Sequence, residues 1–410
     1  LAIYQKDILM DMYGRSKLTS SRTACLFTLL CVLGQGLSAG ETVDLDGMFQ
    51  MHGFLTQAFV KTTENQFFGD STDGSFDFRE LGINASYRLS PQILLAAQLL
   101  SRRAGEMYDA SPDLDYAHID YTLHMDEDDR IGIILGRYKN TFGFYNDTRD
   151  VAATRPGIFM PQAVYWDRVR NMVLSSDGGQ LYGETLIGNH RFELRLIGGE
   201  TLIDENVEYT YLDPILDPEL KNDGITFGGR LLYEWDGGRF KLAYSRASLT
   251  LDAETNLLPP GEIDIDYRIL SAQYNSGPWS LTLEYMQEPL DFKDFNGMLE
   301  MADTTVDGYY LQGNYRIDAD WELFVRYEES HYNENDEDGS KTSALIGQPE
   351  HNYFSEQWTL GMLWEPTEKL MLRAEFSSID GTIFLSNKEN TPSTTERDWN
   401  LFSLLISYTF

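Results

Sequence analysis

The sequence predicts an all-β fold, a membrane-spanning barrel of sixteen antiparallel strands, on three observations. Segments of about ten residues alternate apolar and polar side chains at period two. Very short turns and longer polar loops join them in strict alternation. After the first forty residues, no apolar run approaches the roughly 18 to 20 residues that a membrane-spanning helix needs. A membrane, if crossed, is crossed by strands.

The elements follow in chain order. "FRELGINASYR" runs through "LSPQ" into "ILLAAQLLSRR", and "GGRLLYEW" through "DGGR" into "FKLAYSRAS". "ILSAQYN" meets "SGPW" and "SLTLEYMQE"; "YYLQGNYR" meets "IDAD" and "WELFVRYEES"; "WTLGMLWE" meets "PTEK" and "LMLRAEFSS". Turns at 126–129 and 188–190 bring the tight turns to seven, and a strand before the first and after the last makes sixteen. The spans expected are 48–61, 76–89, 91–103, 115–125, 130–139, 178–187, 190–199, 224–235, 239–249, 263–275, 279–288, 306–316, 320–330, 356–365, 368–378 and 398–410.

The alternation also assigns the faces. Leu281, Leu283 and Tyr285 alternate with Ser280, Thr282 and Glu284, and Trp358, Leu360 and Met362 with Gln357, Thr359 and Gly361. Sixteen strands enclose a lumen too wide for side chains to fill, so the apolar set faces lipid and the polar set water. Tyr87, Trp235, Trp279, Trp321 and Trp364 all stand beside short turns, at the height of one interfacial girdle.

Ahead of the strands, Arg15, Lys17 and Arg22 precede the apolar run "ACLFTLLCVLG" and then "LSAG", the pattern of a secretory leader cut after Ala39. Residues 1–39 are therefore expected to be upstream sequence plus leader, and 40–410 a single barrel domain without a linker. Both cysteines, Cys25 and Cys31, fall in the leader, leaving no thiol, disulfide or cysteine-metal chemistry in the mature chain. Removing two acids and four bases with the leader leaves 63 acids against 28 bases. So acidic a chain excludes nucleic acid as a partner. The six histidines form no HExxH, and no GxSxG occurs, so no enzyme motif is present.

The chain ends on "LFSLLISYTF", with Phe402, Leu404, Ile406, Tyr408 and Phe410 on one face. Leader, sixteen strands, a long third loop and a last strand ending in an aromatic residue together resemble the Gram-negative outer-membrane porin superfamily. The resemblance implies a bacterial outer-membrane location and a third loop folded into the barrel. It also implies a homotrimer, and an assembly signal at Tyr408 and Phe410 read by the outer-membrane assembly machinery.

That third loop is 140–177, "NTFGFYNDTRDVAATRPGIFMPQAVYWDRVRNMVLSSD". It is too apolar to stand free in water, and a structureless loop of this length is usually functional. Its charged residues Arg149, Asp150, Arg155, Asp167, Arg168 and Arg170 either line a constriction or pin the loop to carboxylates of the wall. On the strands, Arg195, Arg230, Arg268, Arg326 and Arg373 lie about six to eight residues from their nearest short turn, at similar mid-barrel height. With Asp120 and Glu80 they form the expected pore wall, read either as a basic surface or as a ladder neutralised by neighbouring glutamates.

Acids crowd the outer loops, at 200–223 and in "NENDEDG". Carboxylates there offer weak divalent-cation binding that bridges to lipopolysaccharide; no dedicated metal site or cofactor is expected. The function expected is a passive channel for small hydrophilic solutes or ions. A solute-selective channel, and a surface receptor or structural barrel with a plugged lumen, are the alternatives.

Overall fold

The computed structural model describes residues 48–299 and 302–410; the expected leader lies outside them. The strands are β1 (Phe49–Thr62), β2 (Ser75–Ser90), β3 (Ile93–Ala104), β4 (Tyr108–Met125), β5 (Asp129–Lys139), β6 (Ser175–Ile187), β7 (His190–Thr201), β8 (Glu219–Asn222) and β9 (Thr226–Trp235). They continue as β10 (Phe240–Glu254), β11 (Gly261–Ser276), β12 (Trp279–Asp294), β13 (Thr304–Arg316), β14 (Trp321–His331), β15 (Phe354–Thr367), β16 (Leu370–Gly381) and β17 (Asp398–Thr409).

Apart from the short β8, each strand pairs antiparallel with the next, and β1 pairs with β17 from Phe54↔Thr409 to Thr62↔Leu401, which closes the sheet. The seam is finished by reciprocal bonds between Gly53 and Phe410, N–H to carbonyl, both 2.9 Å. Seventeen segments make sixteen staves. β8 and β9 lie in line along β10, pairing with Leu251–Glu254 and Phe240–Ser248 respectively. At the break, the Asn222 amide bonds the Thr201 carbonyl at 2.8 Å and carries the connection to β7.

Every expected strand is present, but several run further toward the long-loop end: β4 starts at Tyr108, β10 reaches Glu254 and β12 reaches Asp294. The reason lies in a reversal of polarity. On β12 the outward positions pass from Trp279, Leu281, Leu283 and Tyr285 to Gln287, Asp291 and Lys293, while the inward ones pass from Ser280, Thr282 and Glu284 to Met286, Leu290 and Phe292. β11 does the same, with Leu270 and Tyr274 outward below Arg268, Asp266 and Asp264. The period stays at two while its phase inverts, so a search for apolar-out alternation stops short of the true strand end.

The inversion marks where lipid gives way to water. On the outer face, Trp321 stacks on Trp364 with centroids 5.2 Å apart, and Trp279 packs on Tyr315. Six residues further along the same strands, Tyr309, Tyr327 and Trp358 form a second aromatic row. Six residues of strand span about 20 Å, which fits the roughly 25 Å apolar band of outer-membrane barrels. Above that band the barrel stands in water and holds an apolar core of its own, built from Leu249, Leu251, Ile263, Ile265, Leu290 and Phe292 together with the loops.

Candidate functional site

The third loop, between β5 and β6, lies inside the barrel and reaches strands on all sides. It begins with two one-turn 3₁₀ segments and ends in a short helix, Arg170–Leu174. Of the residues that made it too apolar for water, Phe142, Ile158, Phe159, Met160, Val164, Tyr165 and Trp166 are buried, and Phe144 and Tyr145 are half-buried. Phe159 meets Phe67, Phe68 and Phe78 at centroid distances of 5.1 to 5.3 Å, two of them edge-on. Burial of this kind contributes about 1.5 to 3 kcal/mol per large apolar side chain.

Polar bonds fix the loop's height. The Glu284 carboxylate of β12 accepts from Tyr165, Tyr310, Ser271 and the Phe144 backbone N–H, all at 2.6 to 2.9 Å. Gln312 of β13 donates to the Pro156 carbonyl at 2.8 Å, Glu375 of β16 accepts from the Ile158 N–H, and Tyr267 of β11 donates to the Val164 carbonyl at 2.6 Å. Gly143 donates to Ser245 of β10 and accepts from Arg230 of β9, each at 3.0 Å. At φ +57° this glycine has no room for a side chain, since a Cβ would stand 2.2 Å from the Tyr165 hydroxyl.

The loop's charges are largely ion-paired, and of its arginines Arg155 alone, among the described residues, reaches a wall carboxylate. Arg155 binds Glu80, Arg102 bridges Glu80 and Asp167, and Arg149 binds Asp167. Asp150 is held between Lys139 and Arg170. Burial acts to raise the pKa values of Asp150 and Asp167, but the cations around them prevail and hold both below the usual carboxylate range. Arg102 was not among the expected site residues. Its place at the outer end of an otherwise apolar strand was the available signal.

Arg168 differs from the other loop arginines. Its guanidinium donates to the backbone carbonyls of Ile383 and Tyr209, at 3.2 and 3.1 Å, and among the described residues no carboxylate pairs with it. Burial lowers its pKa to about 10.

On the wall, Arg195, Arg230, Arg326, Arg373, Asp120 and Glu80 lie on the inward parity of their strands. Arg268 does not. It shares parity with Leu270 and Tyr274, faces outward and pairs with Asp266, which also binds Arg246. Its distance from the turn gave its height, but its parity gives its face.

The remaining wall arginines are mostly neutralised. Arg195 and Arg230 share Glu193 at 3.0 and 2.8 Å, and Arg326 binds Glu328 at 2.7 Å. Asp120 accepts from Tyr182 and Arg130. Arg373 is the exception: buried, with Nε and Nη1 unpartnered.

At the outer loops, Asp223, Asp252 and Glu262 bring one oxygen each within 4.8 Å of one another. "ENDEDG" is a capped turn in which Asp336 accepts from the backbone N–H groups of Lys341 and Thr342 and from the Thr342 hydroxyl. Tyr408 and Phe410 project outward at the seam.

Comparison with known proteins adds the following. Residues 250–410 match the family model described as phosphate-selective porin O and P. Nothing among curated proteins matches the sequence. Among solved structures, the outer membrane channel DcaP of Acinetobacter baumannii is similar at TM-score 0.59 and 12% identity, over 91% of this chain and 100% of that one. An anion-selective porin from Comamonas acidovorans is similar at TM-score 0.54 and 13% identity, over 88% and 99%. OmpF of Salmonella typhi is similar at TM-score 0.54 and 14% identity, over 88% and 97%. A sequence match over residues 250–410 and a fold match over about nine-tenths of the chain agree: this is an outer-membrane barrel of porin fold whose later strands carry the pattern of a porin family.

Proposed function

We propose that the barrel is a passive outer-membrane channel for small hydrophilic solutes, driven by their gradient, with passage set by the third loop. The supporting observation is the loop's position: it lies across the lumen and is bonded to wall strands from β2 to β16. Solutes are screened by size at this diaphragm and by the charge left uncompensated beside it. On the wall we weigh Arg373, whose Nε and Nη1 lack partners, above the Glu284 carboxylate, which neutral donors already satisfy. An anion preference follows, in keeping with the phosphate-selective description of the family matched over residues 250–410. We read the protein as a channel and not as an enzyme.

Further elements of this reading are a homotrimeric assembly, Tyr408 and Phe410 as the signal to the assembly machinery, and divalent cations linking outer-loop carboxylates to lipopolysaccharide phosphates. The second reading, a barrel plugged by its own loop, is favoured by the depth of the loop's apolar burial. Single-channel recording of the purified protein in a planar bilayer distinguishes them. Stepwise conductance supports the channel; a silent membrane that becomes conductive only when the loop is shortened supports the plug.

A further inference from the structure

A cavity of about 220 Å³ lies on the outer side of the third loop, walled by that loop, by the outer ends of β12 and β13, and by the loops after β7, β14 and β16. Its lining combines Trp166 and Arg168 with Tyr211, Glu288, Val306 and Gln348. An apolar cavity of roughly 150 Å³ accommodates a benzene ring, so this one has room for a substituted ring.

Its polar groups are placed unevenly. On the loop-facing side Arg168 is a cation whose bonds go only to backbone carbonyls. On the strand side the Glu288 carboxylate accepts from Tyr211 at 2.6 Å with its second oxygen unengaged. The polar amides nearby are already used: Asn352 ties Pro392 to Thr382 and Thr395, and Asn390 holds Gln66.

We propose that this cavity binds a small hydroxyaryl carboxylate, its carboxylate on Arg168, its ring among the tyrosines and aliphatic side chains, and its hydroxyl donated to Glu288. Inorganic phosphate meets the cation but leaves the apolar wall bare. A neutral phenol fills the wall but leaves the guanidinium unpaired. The site would concentrate its ligand just outside the diaphragm, a role that rests on the channel reading above.

The test is calorimetric titration of the full chain in detergent micelles with 4-hydroxybenzoate, 4-hydroxybenzyl alcohol and inorganic phosphate, with bilayer conductance recorded on the same sample. Saturable binding of 4-hydroxybenzoate is expected, with the alcohol and phosphate each weaker by roughly tenfold or more. Arg168→Gln should weaken it by roughly ten- to a hundredfold, and Arg168→Lys should recover part of the loss. Because Arg168 also ties two loops together, Val306→Phe provides an independent variant: it fills the cavity from the strand side and should abolish binding. No saturable binding, equal binding of phosphate, or binding indifferent to both Arg168→Gln and Val306→Phe overturns the site. Conductance without binding sinks the site and leaves the channel; binding without conductance sinks the channel and leaves the site.

Discussion

Several aromatic rings of this barrel occupy the space beside a glycine on the neighbouring strand. A Cβ at Gly361 would stand 2.1 Å from the Phe324 ring, one at Gly82 2.2 Å from Phe54, and one at Gly53 2.4 Å from Phe410. The ring fills the space that the glycine leaves and excludes solvent from the ladder. Gly361→Val should therefore displace Phe324 and destabilise the barrel by about 1 to 3 kcal/mol. Gly183→Ala, with its nearest neighbour at 3.9 Å, should be neutral. The temperature at which the folded band is lost in unboiled gel electrophoresis reads both. At the seam, Phe410→Asp should break the packing on Gly53 and lower the amount of assembled protein in the outer membrane. Normal membrane levels would remove the proposed targeting role.

At the scale of elements, the strands were legible because each carries its period within ten residues. The third loop was legible as a packed segment from its apolar content, and as an inward one from the resemblance to porins. Its anchors were not, because the partners are remote in sequence: Arg155 meets Glu80 and Ile158 meets Glu375 across 75 and 217 positions. No local pattern records such a pair. Arg268 is a different miss, since parity with Leu270 was visible and was outweighed by height. Deleting residues 152–165 should enlarge conductance while the barrel keeps its resistance to heat, because the loop lies inside the wall and forms none of it. Unchanged conductance would place the solute path elsewhere.

The anchoring charges also set a pH window for this loop. Asp150 and Asp167 have depressed pKa values in the folded protein, so their stabilising contribution is complete above the unfolded value of about 3.9 and is lost as pH falls through the lower folded values. Lys139, Arg102, Arg149 and Arg170 then face one another unbalanced. Measured against Asp150→Asn, the part of the conductance that these two aspartates set should stay constant from about pH 8 to pH 5 and change only below about pH 4. A transition near neutrality would show that other groups hold the loop.

The whole molecule is taller than its membrane. Its upper part turns the polarity of β10, β11 and β12 inside out, and there acidic residues stand in water: Asp252 on β10, Asp264 on β11 and Asp291 on β12 all face outward. This arrangement decides how a formal charge of −33 bears on transport. At physiological salt the Debye length is about 8 Å, so carboxylates on the far side of the upper wall are screened from the lumen. Inside, most charges are already paired, Arg230 with Glu193 and Arg326 with Glu328 among them. A charge at a narrow point beside a low-dielectric wall counts for much more than one in open solvent, and Arg373 is a buried wall cation with no ion pair among the described residues. Selectivity should therefore be weak and toward anions despite the acidic chain. The reversal potential across a KCl gradient measures it, and Arg373→Ser should move that potential toward cations while Arg268→Ser, on the outer face, leaves it in place. Strong cation selectivity, indifferent to Arg373→Ser, would mean that the outer carboxylates govern the pore and that the lumen's own charges do not.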